Sequence, residues 1–171
     1  MSSQYHETLT NLPGKTTTPK PAPRFASGPL EVNVVFTELQ ATAAALKFAQ
    51  SFARELGAYI HLRAAINVPP QLPLDEPPVS VAFLQETLRK LASQLEGDTF
   101  DPTVHLYLCR DRVRALSQAL KPNSLIVIGG PRRWWPTAES RMAQALRSKG
   151  HRVIIVDSRA RSGSAQPVFA R

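Results

Sequence analysis

Apolar and polar residues follow two different periods between residues 31 and 158, and the two periods alternate along the chain. Short apolar runs indicate strands, because a strand buried on both faces shows few polar interruptions. The strands predicted in this way are VNVVF (32–36), YIHLRAAI (59–66), TVHLYLC (103–109), SLIVIGG (124–130) and RVIIVD (152–157).

Between these runs, apolar residues recur at helical spacing. The predicted helices are LQATAAALKFAQSFAREL (39–56), VAFLQETLRKLASQLEG (81–97), DRVRALSQALKP (111–122) and TAESRMAQALRSKG (137–150). Gly57, Gly97 and Gly150 follow or close three of them, as glycine does at helix C-termini, and Thr137 is a predicted N-cap. A loop with five prolines, NVPPQLPLDEPP (67–78), precedes the second helix.

Strands that alternate with helices pair in parallel through right-handed crossovers, which cover both faces of the sheet. The sequence therefore predicts an α/β fold: a three-layer α/β/α sandwich around a five-stranded parallel sheet. The second and third strands alternate in polarity, which puts Tyr59 and His61 on the same face as His105 and Tyr107 if the strands are neighbours. This group suggests either a metal or acid–base cluster or, as we prefer, a polar sheet face. We predict no metal site.

The ends of the chain differ in composition from this domain. Residues 1–30 hold five prolines and no periodic apolar pattern, so we predict a disordered Pro/Thr-rich tail. Residues 31–158 form the α/β domain, and residues 159–171 are predicted to be a basic flexible tail. The chain has a single cysteine, Cys109, and no apolar run of membrane-spanning length, so we expect a cytoplasmic protein.

Positive charge is concentrated in the second half of the chain. Residues 110–171 carry thirteen basic and three acidic residues, a net charge of +10, whereas the whole chain has +8. An anionic partner is therefore expected on this half.

The order of these segments resembles the universal stress protein family over about residues 31–157. The resemblance is carried by the first strand, helix and second strand (VNVVF and ATAAALKFAQSFARELGAYIHLRAAI), by RVRALSQALKPNSLIVIGG, and by the final HRVIIVD. It implies a Rossmann-like sheet in the order 3-2-1-4-5 and an ATP site at the carboxyl ends of strands 1 and 4. It also implies a role in stress response and a homodimer that pairs through the last strand, Val153, Ile154, Ile155 and Val156.

Nucleotide-binding members of that family carry an aspartate after strand 1 and a loop G-x2-G-x9-G-[ST] after strand 4. In this chain Thr37 stands near the position of the acid, Arg132 replaces the second glycine, and Ser140 follows Glu139 in place of a glycine. We therefore predict an altered or lost nucleotide pocket. Its candidate ligand-binding residues are Thr37, Gly129, Gly130, Arg132, Arg133, Thr137 and Ser140, where arginine side chains would replace the backbone N–H groups of a glycine loop.

Trp134 and Trp135 follow the two arginines, and adjacent residues of a regular element cannot both enter one core. They are candidates for a protein interface or for stacking on a base. We favour a third interpretation, in which they close the open end of the sheet and fill the volume of a nucleotide.

The first hypothesis for function is a non-catalytic domain of universal-stress-protein type that takes part in stress-linked regulation. One alternative is nucleic-acid or polyanion binding through the basic half and the Arg-Trp loop, and another is an ATP-binding universal stress protein. A nucleotide hydrolase is the third; it would have to use Glu38 or Asp157, the acids near the expected site. The partners considered are a second copy of the chain, a small anionic ligand and nucleic acid.

Overall fold

The structure, a computed structural model, describes residues 8–9, 30–94, 103–131 and 137–158. It contains a parallel sheet and four helices. In chain order the elements are β1 (Thr8–Leu9), β2 (Glu31–Val35), α1 (Leu39–Leu56), β3 (Tyr59–Asn67), α2 (Val81–Ala92), β4 (Thr103–Cys109), α3 (Arg112–Ala119), β5 (Leu125–Gly130), α4 (Ala138–Ser148) and β6 (Arg152–Asp157).

The sheet order is β1-β4-β3-β2-β5-β6, and every pairing is parallel. The five predicted strands are β2 to β6, so the predicted order 3-2-1-4-5 is confirmed. Strand β1 was not predicted; it lies within residues 1–30 and places Thr8 opposite His105 and Leu9 opposite Leu106. The rest of the predicted N-terminal tail and residues 159–171 lie outside the described residues.

One face of the sheet packs under α1 and α2. Its core includes Val34 from β2, Leu62 from β3 and Leu88 from α2, all fully or almost fully buried. Helix α1 contributes buried alanines at four-residue spacing: Ala41, Ala45, Ala49 and Ala53. Residues four apart lie on one side of a helix, so this row of methyl groups lets α1 approach the sheet closely.

The opposite face packs under α3 and α4. Ile126 and Ile128 of β5 meet Leu116 of α3 and Leu146 of α4 in a second buried cluster. Helix α3 is only eight residues long. The side chains of the amino-terminal halves of β2, β3 and β4 on this face are polar, and they are described below.

Most helix ends agree with the predicted caps. Gly57 adopts the left-handed conformation after α1 (φ 61°), and Thr137 caps α4. Helix α2 is shorter than predicted, because it ends at Ala92 and not near Gly97. The hydroxyl of Ser93 donates to the carbonyl of Lys90 (2.9 Å), a local bond of the kind that competes with continued helix.

Candidate functional site

The carboxyl ends of β2 and β5 are the point where the chain direction across the sheet reverses, which is where ligands bind in open α/β sheets. Thr37 follows β2, and its hydroxyl donates to the carbonyl of Gly129 on β5 (2.9 Å). Its backbone N–H donates to the hydroxyl of the buried Thr42 on α1 (3.1 Å). Thr37 therefore joins the ends of two strands to the first turn of α1.

Gly129 is required by packing. A Cβ built on it would lie 1.8 Å from the carbonyl oxygen of Ala41, so only glycine allows α1 to come this close to β5. Gly129 is one of the two glycines predicted to belong to the pocket, and helix packing accounts for it without a bound phosphate.

Gly130 lies beneath the side chain of Glu139, whose Cβ and Cγ would both be 3.2 Å from an added Cβ. Glu139 stands in the first turn of α4, where a carboxylate is favoured by the positive end of the helix dipole. Glu139, the second residue after the cap of α4, thus brings a carboxylate side chain to the end of β5, where a phosphate of a bound nucleotide was expected.

Thr137 and Ser140, two of the three hydroxyl residues predicted to bind the ligand, are engaged in capping α4. The hydroxyl of Thr137 accepts from the backbone N–H of Ser140 (3.2 Å), and the hydroxyl of Ser140 donates back to the carbonyl of Thr137 (2.9 Å). Arg132, Arg133, Trp134 and Trp135 lie outside the described residues, so the hypotheses on the Arg-Trp loop stay predictions.

A cleft of about 390 Å³ opens between α3 and α4 next to this switch point. Its walls combine apolar side chains with two arginines, a glutamate and Thr37. The lining residues are Thr37, Arg112, Val113, Ala138, Glu139, Arg141, Met142 and Ala145.

Arg112, the first residue of α3, is the cation that the sequence analysis missed. One guanidinium nitrogen, Nη2, donates to the carbonyl of Phe36 at the end of β2 (2.9 Å). Its Nε is buried and has no hydrogen-bond partner in the described part of the chain. A buried donor without a partner costs free energy, so it marks a place where a ligand acceptor would be favourable.

The helix start that carries Arg112 is fixed by Asp111, whose carboxylate accepts from the backbone N–H of Arg114 (3.0 Å). The signal for this site was present in the sequence as DRVR after a strand. What the sequence could not show is the contact with Phe36, which lies 76 residues earlier in the chain.

Arg110, which precedes this helix, has a different role. Its guanidinium donates to the carbonyls of Val68 (2.8 Å) and Leu72 (2.7 Å) and also to that of Pro69, and so it holds the start of the proline-rich loop against β4. Neighbouring Cys109 is buried, and burial raises the pKa of its thiol although the charge of Arg112 opposes the shift. This thiol donates to the carbonyl of Ile66 (3.4 Å) and is a core group rather than a nucleophile.

A second group of polar side chains lies on the same sheet face, nearer the amino-terminal ends of the strands. We call it the polar seam; it comprises Asn33, His61, Arg63, His105 and Tyr107. The guanidinium of Arg63, only 8% exposed, donates through Nε to the Asn33 side-chain oxygen (2.6 Å) and through Nη1 to the Tyr107 hydroxyl (2.7 Å).

His61 and His105 lie side by side, in agreement with the prediction that they share one face of the sheet. The ring centroids of His61 and His105 are 5.6 Å apart, and those of His105 and Tyr107 are 6.3 Å apart. Within the described ranges, no group of three or more histidine, cysteine, aspartate or glutamate side chains could hold a metal ion. Arg63 beside the imidazoles also disfavours a bound cation.

The predicted dimer strand, β6, stands at the end of the sheet, where β5 is its neighbour. Val153 is buried, whereas Ile154, Ile155 and Val156 are half-buried. The structure therefore places these candidates on a sheet edge, and their role in pairing stays a prediction. Among the helices of the described ranges, none is both long enough and apolar enough to cross a membrane.

Solved structures similar to this chain include two universal stress proteins. One, from Archaeoglobus fulgidus, is 14% identical and covers 75% of this chain and 98% of its own, with a TM-score of 0.44. The other, a universal stress protein in complex with cAMP, is 18% identical and covers 77% of this chain and 99% of its own, with a TM-score of 0.45. No family model and no curated protein matches.

Proposed function

We propose that this protein is a non-catalytic binding domain of universal-stress-protein type, with an altered nucleotide pocket that takes a small anionic ligand in the cleft between α3 and α4. The observation that carries the proposal is Arg112, which lines that cleft and whose buried Nε has no hydrogen-bond partner among the described residues. A phosphate or carboxylate oxygen would give this donor the partner that it lacks.

The shape and lining of the cleft suit a nucleotide-sized molecule. Its volume of about 390 Å³ falls within the range of roughly 300–1,000 Å³ that is usual for small-molecule sites. Val113, Met142 and Ala145 offer an apolar surface to a flat base, while Arg112 and Arg141 offer charge to a phosphate.

The pocket is altered because the glycine-loop geometry is replaced by side chains. Glu139 covers Gly130, and Thr137 and Ser140 are engaged in capping α4. Guanidinium groups, which form bidentate hydrogen bonds with phosphate, would therefore contribute more to recognition than backbone N–H groups. We propose binding without catalysis, since Glu139 is the one carboxylate among the residues that line the cleft.

The test is a calorimetric titration with ATP, AMP and cyclic AMP, with and without magnesium, on the full chain and on Arg112→Gln. We expect saturable 1:1 binding of at least one of these, weakened about tenfold or more by the substitution. Arg114→Gln is the matched control, because it removes the same charge from an exposed position of the same helix. Equal affinity in all three proteins would refute the cleft as the site, and absence of binding would refute the nucleotide as the ligand.

The basic half supports a second candidate, binding of a nucleic acid or another polyanion. The described exposed cations there include Arg114, Lys121, Arg141 and Arg152. Polyanion binding would weaken steeply with added salt, whereas a small ligand in the cleft would show a weaker salt dependence. Repeating the titration in low and moderate salt with a short oligonucleotide separates the two.

We also propose, from the family resemblance, that the domain acts in stress-linked regulation as a homodimer that pairs through β6. Pairing would cover an edge strand with half-buried apolar side chains. A monodisperse monomer by light scattering at high protein concentration would overturn the dimer.

A further inference from the structure

The polar seam holds two imidazoles in an unusual setting. His61 lies on β3 and His105 on β4, in strands that pair directly, with Arg63 opposite His105 in the register. His61 Nδ1 and His105 Nε2 are buried and have no hydrogen-bond partner within the part of the chain that the structure describes. Each ring is therefore held by packing, with one nitrogen that could take up a proton but has no acceptor to share it with.

The charged groups around the imidazoles come from three places. Arg63 lies two residues after His61 on β3 and opposite His105 on β4. Glu31 of β2 approaches His61, with 3.9 Å between a carboxylate oxygen and Nε2, and Lys121, after α3, binds Glu31 at 2.5 Å. From β4, Tyr107 contributes a neutral ring whose hydroxyl is occupied by Arg63. Glu31 is the one carboxylate among these groups, and Lys121 already neutralises it.

We propose that His61 and His105 form an acid-sensitive latch between β3 and β4, which opens when both imidazoles take up protons beside Arg63. Three cations would then face one another at the centre of the seam without a free carboxylate to balance them. The strand that would loosen is β4, together with β1, whose Thr8 pairs with His105.

The direction of the proton equilibria agrees with this geometry. Burial, followed by the charge of Arg63, lowers the pKa of His105 to about 4. The same two causes lower the pKa of His61, with Glu31 opposing them. An unfolded histidine titrates near 6.5, so the open state binds more protons at mildly acid pH. The neutral imidazoles thus favour the closed state above about pH 6.5, and this advantage is lost as the pH falls towards 4.

Hydrogen exchange measured by mass spectrometry at pH 7 and pH 5, corrected for intrinsic rates, tests the latch on the full chain. We expect the protection of β4 amides to fall roughly twentyfold between the two pH values, which is the effect of His105 alone. Amides of β5 and β6, on the other side of β2, serve as the internal control. Protection of β4 that does not change, or that falls equally in β5 and β6, would overturn the proposal.

The matched variant is His61→Gln with His105→Gln, which keeps polar side chains of similar size that cannot be protonated. It should retain its β4 protection at pH 5, and a loss as large as that of the wild type would contradict the latch. If the variant does not fold, proton NMR of the unaltered protein gives the answer, because the chain has four histidines. His61 and His105 should titrate below the usual value, with loss of β4 protection over the same pH range. Normal titration of both would also overturn the proposal.

Discussion

The polar seam and the α3–α4 cleft each place an arginine in the same half of the sandwich, and the two arginines differ in how they are satisfied. Arg63 sits in the middle of the sheet and donates to Asn33 and Tyr107 on the two neighbouring strands. Arg112 sits at the start of a helix and donates to one carbonyl, and its buried Nε has no partner in the part of the chain that the structure describes. A guanidinium that bonds side chains on two neighbouring strands holds the fold, whereas one with a buried donor that lacks a partner is a candidate to bind a ligand.

The difference follows from the position of each residue in the fold. A residue inside a parallel sheet has neighbours on both sides at fixed register, so Arg63 finds partners on β2 and β4. The first turn of a helix has no such neighbours, and its surroundings are loops. Similar ends of elements form the ligand sites of most α/β proteins, because they are the places where polar groups remain unpaired.

The largest expected effect concerns the packing of α1 on β5, where Gly129→Ala would force the new Cβ against the carbonyl of Ala41. We expect a loss of about 3 kcal/mol or more in the free energy of unfolding, because backbone must move and not a flexible side chain. Urea denaturation measures it.

Gly130→Ala is the control for this substitution. Its Cβ would come within 3.2 Å of the Cβ and Cγ of Glu139, a tight contact that a small shift can relieve, so we expect a loss under about 1 kcal/mol. Equal losses in the two variants would contradict the close approach of α1 to β5.

The next effect is the difference in free energy of unfolding between Arg63→Met and Arg112→Met, which tests whether the two arginines differ in their structural role. The first leaves the Asn33 oxygen and the Tyr107 hydroxyl without their buried donor, which should lower the free energy of unfolding by about 2–3 kcal/mol. The second removes one bond to Phe36 at a half-buried site and should cost about 1 kcal/mol or less. Urea unfolding of both variants at pH 7 measures the two losses in free energy of unfolding. A larger loss for Arg112→Met would contradict a mainly structural role for Arg63 and a ligand-binding role for Arg112.

The sequence was sufficient for the fold because short strand patterns with clear boundaries alternate with segments of helical period. The bounds predicted for the third and fifth strands, residues 103–109 and 152–157, are those of β4 and β6. The two-residue strand β1 was not predictable, since two residues in a Pro/Thr-rich segment carry no periodicity and their pairing depends on the edge of β4.

The candidate site was predictable only in its location. Thr37, Gly129 and Gly130 do meet at the switch point, because topology alone brings the carboxyl ends of adjacent strands together. Arg112 and Glu139 were missed as site residues, since their places depend on how α3 and α4 pack across the sheet, and no local pattern encodes that packing. For the same reason the sequence placed His61 and His105 on one face but gave no sign of the buried Arg63 bridge to Asn33.

The smallest expected effect lies at the rim of the seam, where Lys121 is 71% exposed and pairs with Glu31. Burial alone would raise the pKa of Glu31, but the hydrogen bond and charge of Lys121 lower it below its usual value. A carboxylate with a lowered pKa stabilises the fold at neutral pH, and this contribution is lost as the pH falls through its folded pKa.

Lys121→Met should therefore lower stability by no more than about 0.5 kcal/mol at pH 7, because exposed pairs are screened by water and salt. Urea unfolding at pH 7 and below pH 4, in low and high salt, should show the difference shrink under acid and under salt, whereas Lys47→Met on exposed α1 surface should show neither trend. A loss at Lys121 as large as that at Arg63 would mean that the seam is held from its rim and not from its buried centre.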